Sequence, residues 1–433
     1  MATKTKGGLT KSKRGNRGAA RAAIPSPDEM VARAKALQPL LREQAAATEE
    51  RGYPSKEIHD AFLKAGFYKM YVPKKYGGYE FSLRSFAAVI MTLAEGCASS
   101  AWFFAFGAGH AISLGSFYPE KVQNALFGQD GTFQAPHSAR AERCTVRPVD
   151  GGWIVNGVWP YCSGIQYAKH FMGTAKILNA DGTPAENSPP RTVVAVVPDN
   201  QFTVLDDWGD SLGMRGTGSH SVKVEDIFIP EEYAVDWALF SRNEPAPGFA
   251  LHGNPIYQGA WKPNYSGESM SVLIGATKAA LAAYEEILKT RKLVRTGMIS
   301  EQLRYMDIGH QRDFGRAWVT VASGQALLER AADMHQEHLD RWAEEGVPYT
   351  REEEELVMHL VRQGGTLATN AMDIVFAAAG SAAASKGSVI ERCYRDVSTI
   401  KPHASSQFLD NVTLLSRMHF GLTAPQQTAT SGG

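Results

Sequence analysis

The sequence predicts an α+β protein in which helices are followed by strands and then by long helices. Three observations carry this expectation. Apolar residues recur at helical spacing from residue 28 to about 126. Between about 129 and 235 the pattern changes to short β-branched runs separated by Asp150-Gly-Gly, Asp181-Gly and Pro198-Asp-Asn. From about 270 helical periodicity returns, in segments long enough for a bundle. The expected divisions are a basic tail over 1–27, an N-terminal helical domain over 28–128, a central β-barrel or sandwich over 129–235, a loop or lid over 236–267, a C-terminal four-helix bundle over 268–421, and a tail over 422–433.

The elements follow from local chemistry. Ser26-Pro27-Asp28-Glu29 is a helix start, with Val31, Leu37, Leu40 and Leu41 forming the apolar stripe. A second helix is expected after Pro54-Ser55, with Ile58, Phe62 and Leu63 turned inward, and a third over 82–96 with Phe86, Val89, Ile90 and Leu93 on one side. Residues 97–107 combine small and aromatic side chains, which suits either plain core or the wall of a planar ligand site. Strands are expected at 145–149, 153–159, 170–175, 191–197 and 221–224. Helices are expected at 272–293, 306–337, 352–384 and 408–421. Residues 236–267 are rich in Pro, Gly, Trp, Tyr and Asn without periodicity, which suggests a functional loop.

Composition excludes several classes. Among 433 residues, Lys+Arg and Asp+Glu are equal at 45 each, which argues against a polyanion-binding protein as a whole. The tail carries Lys4, Lys6, Lys11, Lys13, Arg14, Arg17 and Arg21 with no acidic residue, and its composition is that of a solvated segment. Cys97, Cys144, Cys162 and Cys393 form no CxxC pair, as expected of reduced thiols in a cytoplasmic protein. No apolar run approaches the ~20 residues that span a bilayer. A P-loop, an HExxH motif and a dinucleotide-binding GxGxxG are all missing, so no nicotinamide site is expected. Gly209-Asp-Ser-Leu-Gly213 matches a nucleophile elbow by letter only, because a β pattern follows it. His335 and His338 read as part of a solvated helix face.

The stretch 391–407 stands out. It sets Arg395, Asp396 and His403 around Pro402, which a helix interior does not accept cheaply. His403 is therefore expected in a loop or at a helix start between two packed helices, where either a reactive or a merely capping histidine would fit.

Several motifs carry a family resemblance. Val72-Pro73 and Tyr76-Gly-Gly78 lie near the start. Leu212-Gly-Met-Arg-Gly-Thr-Gly-Ser219 is followed by Val222-Lys-Val-Glu-Asp-Ile-Phe-Ile-Pro230, and Glu391-Arg-Cys-Tyr-Arg-Asp396 comes late. Together they resemble the acyl-CoA dehydrogenase fold from residue 28 to 421. Where many dehydrogenases of that fold place a carboxylate base, this chain reads Ile400-Lys-Pro-His-Ala-Ser-Ser406, without a carboxylate until Asp410. A histidine there resembles the flavin-dependent monooxygenases of the fold, the oxygenase components of two-component systems that act on p-hydroxyphenylacetate, secosteroid phenols or dibenzothiophene.

That resemblance implies a catalytic pair, Ser163 and His403. Ser163, in Gly157-Val-Trp-Pro-Tyr-Cys-Ser-Gly164, would hydrogen-bond the flavin at N5. His403 would bind or deprotonate a phenolic hydroxyl. Trp102, Ser138, Trp208, Arg291, Gly380 and Ser381 are implied as further flavin contacts, the last two through a neighbouring subunit of a homotetramer. His137 and Trp102 are implied at the substrate. The resemblance further implies reduced FMN (FAD being possible) delivered by a separate NAD(P)H-dependent reductase, O2, a flavin C4a-hydroperoxide, and hydroxylation of an aromatic, phenolic substrate. Two other functions fit the scaffold: an FAD-dependent acyl-CoA dehydrogenase or oxidase, and a flavin-free interaction protein.

Overall fold

In the computed structural model, residues 23–127, 131–185, 191–241, 244–295, 298–406 and 408–422 are described; most of the basic tail and of the C-terminal tail lies outside them. The N-terminal part comprises α1 (Pro27–Glu43), α2 (Ala45–Arg51), α3 (Lys56–Ala65), α4 (Leu83–Ala94), α5 (Ala98–Ala108), α6 (Ala111–Phe117) and α7 (Glu120–Leu126). Ser26, Ser55 and Ser82 cap α1, α3 and α4, each accepting a backbone N–H three residues on. Phe86, Val89, Ile90 and Leu93 of α4 are fully buried, as are Ile58 and Phe62 of α3. Leu63, expected inside, is 37% exposed. It follows Phe62 directly, and 100° of helix rotation carries it off the buried face. Helix α5 is apolar on nearly all sides and buried almost throughout, so it runs through the middle of the molecule, against α4 and α9.

The strands are β1 (His137–Ser138), β2 (Thr145–Val149), β3 (Gly152–Trp159), β4 (His170–Ile177), β5 (Thr192–Pro198), β6 (Thr203–Val204), β7 (Val222–Pro230) and β8 (Ala234–Asp236). They form one eight-stranded sheet in the order β6-β7-β3-β2-β4-β5-β8, with β1 running parallel to β4. The expected barrel or sandwich is thus a single sheet whose ends, β6 and β8, do not pair with each other. One face carries its own core, including Val146, Val155, Trp159, Phe171 and Val193. The alternate residues Met172, Val194 and Val196 join the helical core instead.

Where a loop or lid is expected over 236–267, the chain forms helical turns. These are a 3-10 turn at Trp237–Ser241, α8 (Pro247–His252), another 3-10 turn at Pro255–Gln258, and then the start of α9 (Lys262–Thr290). Tyr257 is fully buried and Phe240 nearly so. Phe240 and Tyr257 are therefore core packing, whereas Tyr265 packs on His110 and His137. A two-stranded hairpin absent from the sequence reading follows, β9 (Lys292–Arg295) and β10 (Met298–Leu303). Next come α10 (Ile308–Glu345), α11 (Arg351–Ala379), α12 (Val389–Ile400) and α13 (Phe408–His419). Helix α9 packs on α10, α11 and α12, while α13 lies on α11.

Arg395 and Asp396 belong to α12 rather than to an irregular segment, and Pro402 falls just beyond that helix. His335 is not on a solvated face. It is 2% exposed, with Nε2 against Asn264 at 3.1 Å and Nδ1 against Tyr349 at 3.3 Å. The four cysteines are buried and free. Among the described residues no helix is long and apolar enough to cross a membrane.

Candidate active site

The site is built on the turn 160–164. The carbonyl of Pro160 accepts the Ser138 hydroxyl at 2.8 Å, and Ser163 N–H bonds the carbonyl of Tyr161, whose φ is +62°. Gly164 adopts φ +87°, and a Cβ there would lie 2.7 Å from the Phe103 carbonyl oxygen, so only glycine lets the turn sit on α5. The Ser163 hydroxyl is thereby held beside Trp102, whose indole Nε1–H donates to it at 2.9 Å.

A chain of hydroxyls continues from Ser163. Its oxygen lies 2.7 Å from that of Ser219, and Ser219 lies 2.7 Å from Thr217. Thr217 donates to the carbonyl of Met214 at 2.9 Å, which commits its proton. Ser219 therefore donates to Thr217, and Ser163 donates to Ser219. Ser163 keeps one lone pair to accept a further N–H.

Met214 stands at φ +55° and its N–H donates to the buried carboxylate of Asp396 at 2.6 Å. Arg395 donates to the carbonyl of Leu212 at 3.0 Å and pairs with Glu49 and Glu391. Gly213 lies so close to α12 that a Cβ would fall 2.3 Å from the Arg395 carbonyl. Helix α12 thus pins the loop that backs Ser163 and, three residues past its end, delivers His403.

His403 meets Trp102 edge to face at 5.3 Å and approaches Phe106 at 6.2 Å. Its Nδ1 accepts the Ser405 N–H at 3.2 Å and lies 2.7 Å from the Ser405 hydroxyl, which accepts from Ser269 at 2.7 Å. With Nδ1 an acceptor, the neutral ring carries its proton on Nε2. His403 retains solvent contact, yet crowding by surrounding atoms holds its pKa below 6.5, and the Arg362 cation adds to that. It is an exposed residue at the edge of a group of buried and half-buried aromatic side chains.

Trp102, Phe106 and His110 follow each other at four-residue spacing on or just beyond α5. Trp102 stacks on Phe106 at 4.3 Å, and Phe106 approaches His110 at 6.4 Å. His110 in turn meets Tyr265 at 4.9 Å and His137 at 5.5 Å. Burial lowers the pKa of His110 to about 4 and that of His137 well below 6.5, while the Tyr265 hydroxyl is raised. This group of side chains is polar but uncharged at neutral pH.

Ser163, Trp102 and His403 are therefore brought together, with His137 further along the same aromatic wall. Ser138 holds the turn from behind. Trp208 lies 6.0 Å from Tyr161. Arg291, Gly380 and Ser381 are not part of this group: Arg291 is 22 residues beyond Ser269, ~33 Å along a helix. They gather at the opposite end of the bundle instead. There Arg304 N–H bonds the Arg291 carbonyl at 3.0 Å, and its guanidinium bonds the carbonyl of Ala379, next to Gly380.

Sequence reasoning missed Phe106, His110, Tyr265, Thr217, Ser219, Ser269, Ser405 and Arg362. The i, i+4, i+8 series from Trp102 was a readable signal for the first two. It also missed Glu268, whose carboxyl is fully buried without a partner. Burial raises its pKa well above the usual carboxylate range. A surface hollow of about 430 Å³ lined by Lys74, Lys75, Glu80 and 251–255 includes none of Ser163, Trp102 or His403.

The residues present fit a reduced flavin. The free lone pair of Ser163 suits the N–H that a reduced isoalloxazine carries at N5. The indole Nε1–H of Trp208 is buried without a partner, and the ring system offers carbonyl and ring-nitrogen acceptors.

Comparison with known proteins agrees with this geometry. Residues 31–117 match the acyl-CoA dehydrogenase N-terminal domain, and residues 269–408 match the acyl-CoA dehydrogenase C-terminal domain. The chain is 30% identical to a pigment production hydroxylase of Rhodococcus sp., over 88% of this chain and 93% of that protein. It is 26% identical to the flavin-dependent monooxygenase oxygenase subunit HsaA of Rhodococcus jostii, over 90% and 98% of the two chains. The structure of XiaF from Streptomyces sp., in complex with FADH2 and glycerol, superposes with a TM-score of 0.82 at 25% identity, over 92% of this chain and 97% of that one. The chain belongs to the flavin-dependent monooxygenases of the acyl-CoA dehydrogenase fold, and is the oxygenase component of a two-component system that uses reduced flavin made by a separate reductase.

Proposed function

We propose that the protein hydroxylates an aromatic, phenolic substrate, with Ser163 and His403 as the working pair. The observation that carries this reading is the edge of His403. Its Nδ1 is tied to Ser405, so its Nε2–H is left to donate to a ligand beside the Trp102 and Phe106 rings. A phenol oxygen placed there accepts that hydrogen bond. The bond lowers the pKa of the phenol and steadies the phenolate that forms when its proton passes to solvent, which enriches the ortho carbon in electron density. The sequence reading allowed His403 to bind or to deprotonate the hydroxyl; the tautomer favours binding.

The reduced flavin supplies two electrons, so that O2 gives one oxygen atom to the ring carbon and one to water. Ser163 accepts the N5–H through its free lone pair. The hydroxyl chain through Ser219 and Thr217 fixes the orientation of that oxygen. Trp102 and Phe106 exclude water from one side.

FMN is the flavin proposed, following the family resemblance, and competition of FMN with FAD for the protein checks it. A homotetramer is proposed because the end of the bundle that gathers Arg291, Gly380 and Ser381 is apolar and exposed. Met298 is 73% exposed, Ile299 71% and Ile308 80%. A second subunit covering it would bring those residues to a neighbour's flavin.

The test of the reaction is turnover of phenols with NADH, a flavin reductase and O2. Catechol formation is expected from the native protein, and His403→Ala is expected to release hydrogen peroxide instead. Equal coupling in both would overturn the role of His403.

A further inference from the structure

We propose that Arg362 binds an oxyanion at this site, namely the carboxylate of an aromatic acid substrate. This deepens the phenol-hydroxylase reading and rests on it. The flavin phosphate is the other oxyanion that the reaction's own molecules carry, and the experiment below separates the two.

Arg362 sits on α11 with its side chain half-buried. Its Nη1 is shut away from solvent and bonds nothing among the described residues. The guanidinium makes one hydrogen bond, from Nε to the Ser266 hydroxyl, and at 3.4 Å that bond is long. Glu355, one candidate counter-ion, is already engaged: it takes Lys262 Nζ at 2.5 Å. Its neighbour Glu354 accepts the Lys262 backbone N–H at 3.2 Å. Burial opposes the charge on Arg362, and only the distant pull of Glu355 works the other way. A buried guanidinium is costly without a paired anion. It remains charged, and its planar fork matches a carboxylate bidentately.

Position ties this cation to the site. Ser266 and Ser269 are one turn apart on α9. Ser269 donates to the Ser405 hydroxyl at 2.7 Å, and Ser405 reaches His403 Nδ1 at 2.7 Å. Three serines therefore line the path from the guanidinium to the imidazole. Arg362 is also near enough to depress the pKa of His403. The neighbouring rings of Trp102, Phe106, His110, His137 and Tyr265 are uncharged at neutral pH. A ligand with its ring against Trp102 and its hydroxyl at His403 would find, among these described residues, the charge of Arg362 to answer. An acid group there would neutralise the cation and relieve its pressure on His403.

The test measures dissociation constants on the full-length protein by quenching of tryptophan fluorescence. Native protein is compared with Arg362→Met, which keeps bulk and removes charge, and with Arg362→Lys, which keeps charge and loses the fork. Thermal melting checks that each variant is folded. The probes are 4-hydroxyphenylacetate against its neutral amide, and FMN against riboflavin. The native protein is expected to prefer the acid over the amide by at least tenfold. Arg362→Met should abolish that preference with amide affinity unchanged, and Arg362→Lys should retain part of it. If Arg362→Met weakens FMN but not riboflavin, and leaves the acid untouched, the oxyanion is the phosphate and the carboxylate assignment is overturned. Unchanged ratios for both pairs, or no binding of the acid by the native protein, overturn the anion site altogether. Native turnover of phenols is scored separately. If it persists while the ratios stay flat, only this inference falls; if no phenol is hydroxylated, the parent reading falls, whatever the ratios.

Discussion

The indole N–H of Trp102 donates to the Ser163 hydroxyl at 2.9 Å, and the same indole meets His403 edge to face at 5.3 Å. One side chain therefore orients the serine proposed to face the flavin and walls the histidine proposed to receive the substrate. Trp102→Phe keeps most of the wall and removes the donor. It is expected to cost ~1 kcal/mol of reduced-flavin affinity, about fivefold. Ser163→Ala removes the acceptor itself and is expected to cost ~2–4 kcal/mol, by analogy with the loss of one positioned bond at a developing charge. The double variant should resemble Ser163→Ala alone, because the two substitutions break the same bond. Strict additivity in flavin binding would show that Trp102 acts on the flavin independently.

His403 gives a pH signature. Its pKa lies below 6.5, so it is neutral at pH 7 and becomes charged as pH falls. Protonation turns Nδ1 into a donor and destroys its acceptance of the Ser405 N–H. Hydroxylation should therefore fall on the acid side of pH 6.5. Arg362→Met removes a cation that disfavours protonation, so it should move this limb to higher pH. His403→Gln, which can still present an N–H, should keep more coupled turnover than His403→Ala. A pH–rate profile of product against peroxide for the three variants checks all of this, and an acid limb that survives in His403→Gln would assign it to another group.

The helices with regular apolar stripes were legible in the sequence, as were their starts near residues 26, 55 and 82, where the structure places capping serines. Ser163, Trp102 and His403 were legible as motif members, and the fold does bring them together. Other features were not, for physical reasons. Residues 236–267 lack periodicity because their aromatic residues pack in several directions at once, as Phe240 does with Phe117, Trp237 and Trp261. Ser219, Ser405 and Ser269 are small polar residues whose meaning lies in partners 56, 2 and 136 positions away. Arg362 looks like any helix-surface arginine until the absence of a partner for its guanidinium Nη1 is visible in three dimensions.

The apolar end of the bundle tests the assembly. Met298 and Ile299 project from β10 at more than two-thirds exposure, and the same hairpin leads into Arg304, which bonds the carbonyls of Arg291 and Ala379. Met298→Glu with Ile299→Glu places two charges on that face. The expected outcome is a smaller species by light scattering, with the isolated chain still folded because neither residue is buried in it. Flavin affinity should drop together with assembly, since Arg291, Gly380 and Ser381 would no longer reach a neighbour. Retention of the native mass would remove this face from the interface.

Asp396 joins the loop behind Ser163 to the helix that leads to His403, and its carboxyl is buried. Burial pushes its pKa from 3.8 up to about 7, against the Met214 N–H and the Arg395 and Arg392 cations, with Glu49 adding to the rise. Cys97 and Cys393 also face it. Between pH ~4 and ~7 the unfolded chain has released a proton that the folded chain still holds. Stability from this group is therefore lost as pH rises through that window, and the penalty is complete above it. Asp396→Asn keeps an oxygen for the Met214 N–H and removes the titration. Its melting temperature should fall less than that of the native protein between pH 5 and 8, and at pH 8 it should be the more stable by at most roughly 4 kcal/mol, about three pKa units at about 1.4 kcal/mol each. Asp396→Ala removes the acceptor as well. It frees the strained Met214 backbone, and so should lower reduced-flavin affinity through Thr217 and Ser219, an effect that Asn does not share. Parallel melting curves for native and Asn forms across pH would show that the carboxyl is ionised throughout and paid for by its arginines.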